Sequence, residues 1–265
     1  MKRRRTALAA IVLASAACTA PAAHKSVAQS PTARAHPRTQ TTTIADSLVN
    51  RRVLLGYSVQ HRPITAIQLG DPDSPRRVLI VGCIHGSEPA GIAIVRALSS
   101  VRIPAEIAVW LVPDLNPDGV AAGTRTDARG VDLNRNFPYQ WQPIDRPGGL
   151  HYAGPHALSE PESVLANRLL LAARPTLGIW YHQALHVVDD SQGPAPLERR
   201  YAAATGLPLR PLPDYPGSAV GYEDHLFGPT AFVVELPAGP VSGRQLSAHV
   251  RAVLDVAMRA NPTSA

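Results

Sequence analysis

The chain has 265 residues, 45% of them hydrophobic and 17% charged, with a net charge of +6. That is enough for one sizeable α/β domain with a well-buried core, and it does not require two. Four of the basic residues are Lys2–Arg5, so the remainder is only mildly basic. No dense basic stripe interleaves with aromatics, which argues against a nucleic-acid partner and leaves room for an anionic polymer such as those of a cell envelope.

The opening MKRRRTALAAIVLASAAC joins a basic start to an apolar run of about a dozen residues. This is the pattern of a secretory signal rather than of a membrane span, which takes about 20 apolar residues. Residues 1–23 are therefore expected to be a signal peptide that exports the chain to the periplasm or cell envelope. Ser15-Ala16-Ala17-Cys18 partly matches a lipoprotein processing site but lacks the usual leucine three positions before the cysteine, so a lipid anchor at Cys18 stays an open alternative. Residues 24–45, rich in Ala, Pro, Ser, Thr and Gln without apolar periodicity, read as a flexible leader without chemistry.

The domain proper is expected at residues 46–262. Apolar runs predict strands at Ile64–Leu69, Val78–Cys83, Ile107–Val112, Leu177–His182 and Ala231–Leu236. Helices are predicted at Glu88–Leu98, from the capping-box pattern Ser159-Glu160-Pro161-Glu162 through about Ala172, at Leu197–Ala204 and from Val241 to about Arg259. The alternation points to an α/β fold, a three-layer α/β/α domain with a mixed central sheet, in which ligands gather at strand ends.

The chemistry is concentrated in a few motifs. HGSEPAG (His85–Gly91) places an imidazole and a carboxylate three positions apart, just after an apolar run. Zn²⁺ takes both ligand types at about 2.0–2.2 Å, and a catalytic site keeps one position open beside three protein ligands. Gly86 would let the backbone turn after His85, and Pro89 suits a first helical turn, which puts Glu88 at the helix start. Alone, such an HxxE is a common accident in which the glutamate merely favours a helix N-terminus. A third ligand is available at His182, at the end of the strand in LGIWYHQALH; His186 is the competitor, but it lies beyond the strand. Cys83 reads as a small core residue, and with Cys18 as its only possible partner no disulfide is expected in the mature chain.

GVDLNRNFP (Gly130–Pro138) sets Asn134, Arg135 and Asn136 between apolar residues, and a planar guanidinium flanked by amides suits a bidentate hold on a carboxylate. NPDG (Asn116–Gly119) reads as a turn. Arg125 in GTRTDARG is a candidate second cation for a developing oxyanion, with an ordinary surface arginine as the alternative. TAFVVELP carries Glu235 at the end of an apolar strand, either as a structural ion-paired glutamate or as a general base that then serves as general acid.

HGSE, NPDG, GVDLNRNFP, a histidine after a strand and FVVELP, in that order, resemble the zinc carboxypeptidases of the carboxypeptidase A type, over roughly Val53 to Ala260. Among these the chain is most similar to the short bacterial members that include the murein peptide amidases, which open with a segment like GYSVQHRPI (Gly56–Ile64). The resemblance implies that His85, Glu88 and His182 bind one Zn²⁺ ion and that Glu235 and Arg125 are catalytic. It also implies that Asn134 and Arg135 hold the substrate carboxylate, and that Asp132 accepts a hydrogen bond from the far ring nitrogen of His85. A substrate-facing tyrosine is expected at Tyr215, which precedes Gly217-Ser218, with Tyr222 as the alternative. Residues Ser218–Leu226 are expected to line the specificity pocket, with Glu223 or Asp224 either meeting a cationic group or solvated. The expected activity is hydrolysis of an amide bond adjacent to a free carboxylate, in murein peptides at the bond between D-glutamate and diaminopimelate. A deacylase of N-acyl amino acids and a non-catalytic wall-peptide-binding relative are the alternatives.

Overall fold

The computed structural model describes residues 48–191 and 193–261. The signal, leader and Cys18 assignments lie outside the described residues. Eight strands form one sheet: β1 (Val49–Tyr57), β2 (Pro63–Gly70), β3 (Arg77–Val81), β4 (Ala108–Val112), β5 (Leu177–Gln183), β6 (Val187–Asp189), β7 (Leu209–Arg210) and β8 (Ala231–Leu236), in the order β1-β2-β4-β3-β5-β8-β6-β7. The sheet is mixed: β4, β3, β5 and β8 run parallel in the centre, and β1, β2 and the β6–β8 pairing are antiparallel.

The helices are α1 (Ala90–Leu98), α2 (Pro117–Ala122), α3 (Pro161–Ala173), α4 (Ala195–Thr205), α5 (Ala219–Phe227) and α6 (Gly243–Ala257). Runs such as RVLIV and LGIWY are apolar without alternation because both faces of the central strands are covered. Val78 and Ile80 of β3, with Ile179 and Tyr181 of β5, pack under Ile94 of α1, Tyr201 of α4 and Val253 of α6. Leu79, Val81 and Trp180 point the other way, to Leu165 and Leu169 of α3 and Tyr222 of α5. The result is the expected three-layer sandwich, and the five predicted strands are all present within one or two residues of their expected ends. Among the described residues no helix is long and apolar enough to cross a membrane.

Three local readings change. NPDG is not a simple turn: the Asn116 side chain accepts the Gly119 N–H at 2.9 Å and Pro117 occupies the first turn, so the same residues start α2. Ser159 is not the cap of α3. Its hydroxyl donates to Glu160 Oε1, and Glu160 holds the cap position without a side-chain capping bond. α1 begins at Ala90, leaving Glu88 on the preceding loop, where its carboxylate turns toward His85 and His182 instead of toward the helix N-terminus.

The chain leaves β3 to form β4 on one side and later returns to form β5 on the other. The carboxyl end of β3 is therefore a topological switch point, where the loops diverge and open a crevice. His85 lies four residues past β3. On the parallel neighbours, His182 and Glu235 are register partners near the ends of β5 and β8.

Candidate metal centre

His85 and Glu88, from the loop after β3, and His182, near the end of β5, converge on one point. His85 Nδ1 and His182 Nδ1 are 3.1 Å apart, and each lies 3.0 Å from Glu88 Oε2. Two imidazole nitrogens so close repel unless something positive sits between them. A nearly equilateral triangle of lone-pair atoms about 3 Å on edge approaches the ligand spacing around a tetrahedral ion with bonds of ~2.0–2.1 Å. The other nitrogen of His85, Nε2, faces Asp132 Oδ1 at 3.1 Å. That carboxylate keeps the proton on Nε2 and leaves Nδ1 free as a ligand. The donor set of two imidazoles and one carboxylate suits zinc. His186, by contrast, is exposed on the turn after β5 and belongs to no such group among the described residues.

The local chain explains the convergence. The backbone turns at Gly86 as expected, with the Glu88 N–H donating to the His85 carbonyl at 2.9 Å, and it does so without a positive φ. A Cβ there would lie 1.9 Å from the backbone of Gly119, so α2 packs directly on the loop. Gln183 Oε1 accepts the Ala90 N–H, and Gln183 N donates to Glu88 Oε2, tying the end of β5 to the start of α1. Cys83 is buried and donates to the His85 carbonyl, as a core residue of that loop.

Charges around the triangle are balanced in pairs. Burial works against ionised Glu88, but hydrogen bonds and charge from His182 and His85 outweigh it and hold the carboxyl below the usual range. Asp132 is also buried and is held low by His85, then by Arg125 and Arg135. Arg125 bridges the two acids, with Nη1 donating to Glu88 Oε1 and Nε to Asp132 Oδ2, both at 3.0 Å. Glu235 is the exception. Burial and the charge of Glu88 push it up to about 6, while the Leu185 N–H that it accepts, with His85 and Arg125, opposes the shift.

His85, Glu88, His182, Arg125 and Glu235 line one pocket of about 300 Å³, which also receives Asn134, Arg135 and Tyr215, whereas Asp132 is fully buried. Arg135 is buried and its guanidinium lies 4.0 Å from the centre of the half-exposed Tyr215 ring. Asn134 accepts the Ala219 N–H at 2.8 Å, fixing the first residue of α5 against the pocket. Asn136 is not part of the clamp: it points into the protein and donates to Ala153 O, His156 O and Ser159 Oγ. Tyr222 is buried and donates to Asn167, away from the pocket.

The expected pocket lining holds only in part. Ser218, Val220 and Gly221 reach it, but Glu223 is sealed under Trp180, accepting its indole N–H, and Asp224 accepts the N–H groups of Thr230 and Ala231. Besides Glu88 and Glu235, the acids on the pocket wall are Asp189 and Asp214, beside Ser191, Leu185, Leu212 and Val233. His151, which sequence reasoning missed, places Nδ1 3.3 Å from Asp132 Oδ2. It lies in the loop GGLHYAG, where no periodicity announces which way a side chain points.

Residues 39–188 match the zinc carboxypeptidase family. The chain is 29% identical to murein peptide amidase A of Escherichia coli K12 over 156 residues, 55% of this chain and 61% of that protein. It is 34% identical to the Vibrio campbellii protein of the same name over 131 residues, 44% and 52% of the two chains. These matched spans fall short of two thirds of those relatives. Among solved structures, the murein-tripeptide amidase of E. coli O157 superposes with a TM-score of 0.64 at 23% identity, covering 86% of this chain and 98% of that one. Carboxypeptidase A of Helicoverpa armigera gives 0.70 at 18% identity over 81% and 70%. At these identities the superpositions establish a shared fold.

Proposed function

The chain belongs to the zinc carboxypeptidase family, and from that premise we propose that it is an exported zinc metallopeptidase cleaving an amide bond next to a free carboxylate in murein peptides. The observation that carries this reading is the placement along one pocket of a three-donor triangle, a buried arginine and Glu235, a carboxylate without an ion-pair partner among the described residues. His85, Glu88 and His182 would hold the zinc. Bound there, zinc supplies Lewis acidity, which makes water nucleophilic at neutral pH and polarises a carbonyl.

The remaining work falls to the chain's own side chains. Arg135, backed by the Tyr215 ring and flanked by Asn134, receives the substrate carboxylate and so fixes which end of the peptide enters. Arg125, about 20% exposed and already hydrogen-bonded to two acids, presents its guanidinium edge to the developing oxyanion. Glu235 takes up a proton on its carboxylate as water attacks and passes it to the departing nitrogen, general base and then general acid. A value near 6 suits that exchange, because the group is mostly ionised at neutral pH yet readily protonated.

The substrate class draws on the pocket wall and the relatives. Asp189 and Asp214 line the pocket together with Leu185, Leu212 and Val233, a combination that fits a side chain carrying an ammonium, as diaminopimelate does, and the relatives named above are murein peptide amidases. Envelope location is part of the proposal through the residue 1–23 signal, with lipid attachment at Cys18 its variant. The test is incubation of the zinc-loaded protein with a murein tripeptide ending in diaminopimelate, following amine release with and without chelator. Acetyl-amino acids run in parallel distinguish a deacylase: faster release from them than from the tripeptide would reject the murein assignment.

A further inference from the structure

A second acidic group lies behind the segment that carries Arg125 and Asp132. Asp127, from the middle of that segment, and Glu160 and Glu162, from the start of α3, bring one carboxylate oxygen each within 4.8 Å of one another. All three residues are buried, at 4%, 1% and 0% exposure. Part of their bonding capacity is used by the protein. Asp127 Oδ1 accepts the N–H groups of Arg129 and Val131 at 2.9 and 2.8 Å. Glu160 accepts from Ser159 Oγ and from Arg129 Nη1, and Glu162 Oε1 accepts the Val59 N–H at 3.0 Å.

The rest is unmet. Asp127 Oδ2 and Glu162 Oε2 are buried and have no hydrogen-bond partner among the described residues. Among those residues the ion pairing of the group is limited to Arg129, which is more than half exposed, while nearby Asp118 is engaged with Arg62. A buried carboxylate oxygen with no donor is costly, and three acids facing one guanidinium compound the cost. Only protons or a cation relieve it.

We propose that Asp127, Glu160 and Glu162 form a structural calcium site, separate from the zinc ligands. The donors are all hard oxygens, which disfavours zinc with its preference for nitrogen and sulfur. Oxygens within 4.8 Å of one another can share one ion, and a site of three fixed carboxylates with irregular surroundings suits Ca²⁺ better than Mg²⁺, which demands a strict octahedron and keeps several of its waters. Carboxylates with free oxygens and room for additional ligands suit the flexible six-to-eight coordination of calcium. Without the ion the group is held by protons: burial, then Glu160 and Glu162, push Asp127 up to about 8. With it, the Arg125–Asp132 segment is fastened to α3 and, through Val59, to the β1–β2 hairpin.

The test uses protein loaded with one zinc per chain in metal-stripped buffer at pH 7.5, titrated with CaCl₂ or MgCl₂ and followed by calorimetry and thermal unfolding. One calcium should bind per chain, and Tm should rise by roughly 5–10 °C at 100 times Kd, with a smaller effect from magnesium. Asp127→Asn retains an acceptor for the Arg129 and Val131 N–H groups, so it should fold, yet bind calcium at least tenfold more weakly; Glu162→Gln is the second variant. Absence of calcium uptake by the wild-type protein would overturn the proposal. Uptake unchanged in both variants would overturn it equally, as would an Asp127→Asn protein that is stabilised while wild type ignores calcium, since the cluster would then be held by protons alone.

Discussion

Glu235 differs from every other acid around the triangle: Glu88 and Asp132 are held low by cations at hydrogen-bond distance, whereas burial keeps Glu235 high. Glu235→Gln keeps the shape and removes the proton acceptor. Turnover of the murein tripeptide should fall by about 10²–10⁴-fold, with zinc content by elemental analysis unchanged. Asp132→Asn should act through zinc instead, weakening metal affinity by about 10–100-fold in a competition with a chromophoric chelator, because His85 loses the partner that sets its tautomer. The residues readable in the sequence, His85, His182 and Glu235, stand at or just past the ends of apolar runs, and strand ends converge in this fold class. His151 and Asp214 were not readable, because loops without periodicity deliver them to the pocket, nor was Asp189, at the end of a three-residue strand too short to show a pattern.

At the scale of elements, what positions the ligands is close backbone packing. The loop from β3 to α1 rests on α2 at Gly86, where a Cβ would meet the Gly119 backbone at 1.9 Å. Backbone cannot yield as a flexible side chain can, so Gly86→Ala should destabilise the fold by about 3 kcal/mol. This would appear as a lower urea midpoint at unchanged slope, together with weakened zinc binding as His85 is displaced. The sequence presented Gly86 as a turn residue and NPDG as a turn. Both signals were real, but the tertiary partner that gave each its meaning, one packed on the other, is 33 residues away and leaves no local mark. α5 was missed for a similar reason: AVGYEDHLF is short and carries a glycine and two acids, and its packing under Trp180 and Phe137 is what holds it as a helix.

At the scale of the whole molecule, the described residues include many buried ionisable groups, and stability should show that against pH. Glu223 is fully enclosed, and burial pushes its carboxyl up to about 8 despite the Trp180 N–H. The unfolded chain ionises this group near 4.5 and the folded one near 8, so its contribution is complete below about 4.5 and is lost as pH rises through 8. Glu223→Gln, which still accepts from Trp180, should therefore gain on wild type by on the order of 1 kcal/mol per pH unit across that window, measured by urea unfolding. His249 runs the other way. Burial holds it neutral and lowers it to about 4, so its contribution is present above about 6.5 and is lost as pH falls through 4. The layered architecture was legible because sheets covered on both faces write continuous apolar strands. β1, β6 and β7 were not, since the edge strand β1 carries polar residues and β6 and β7 span only three and two positions.

The central claim is that one metal held by His85, Glu88 and His182 serves a reaction in which Glu235 moves the proton. It is tested most directly by measuring murein-tripeptide hydrolysis by metal-free protein, zinc-restored protein and zinc-restored Glu235→Gln, each with its zinc content determined. The prediction is one zinc per chain in both restored proteins and amine release only in the wild type. Release by the metal-free protein, or unchanged release by Glu235→Gln, would contradict it.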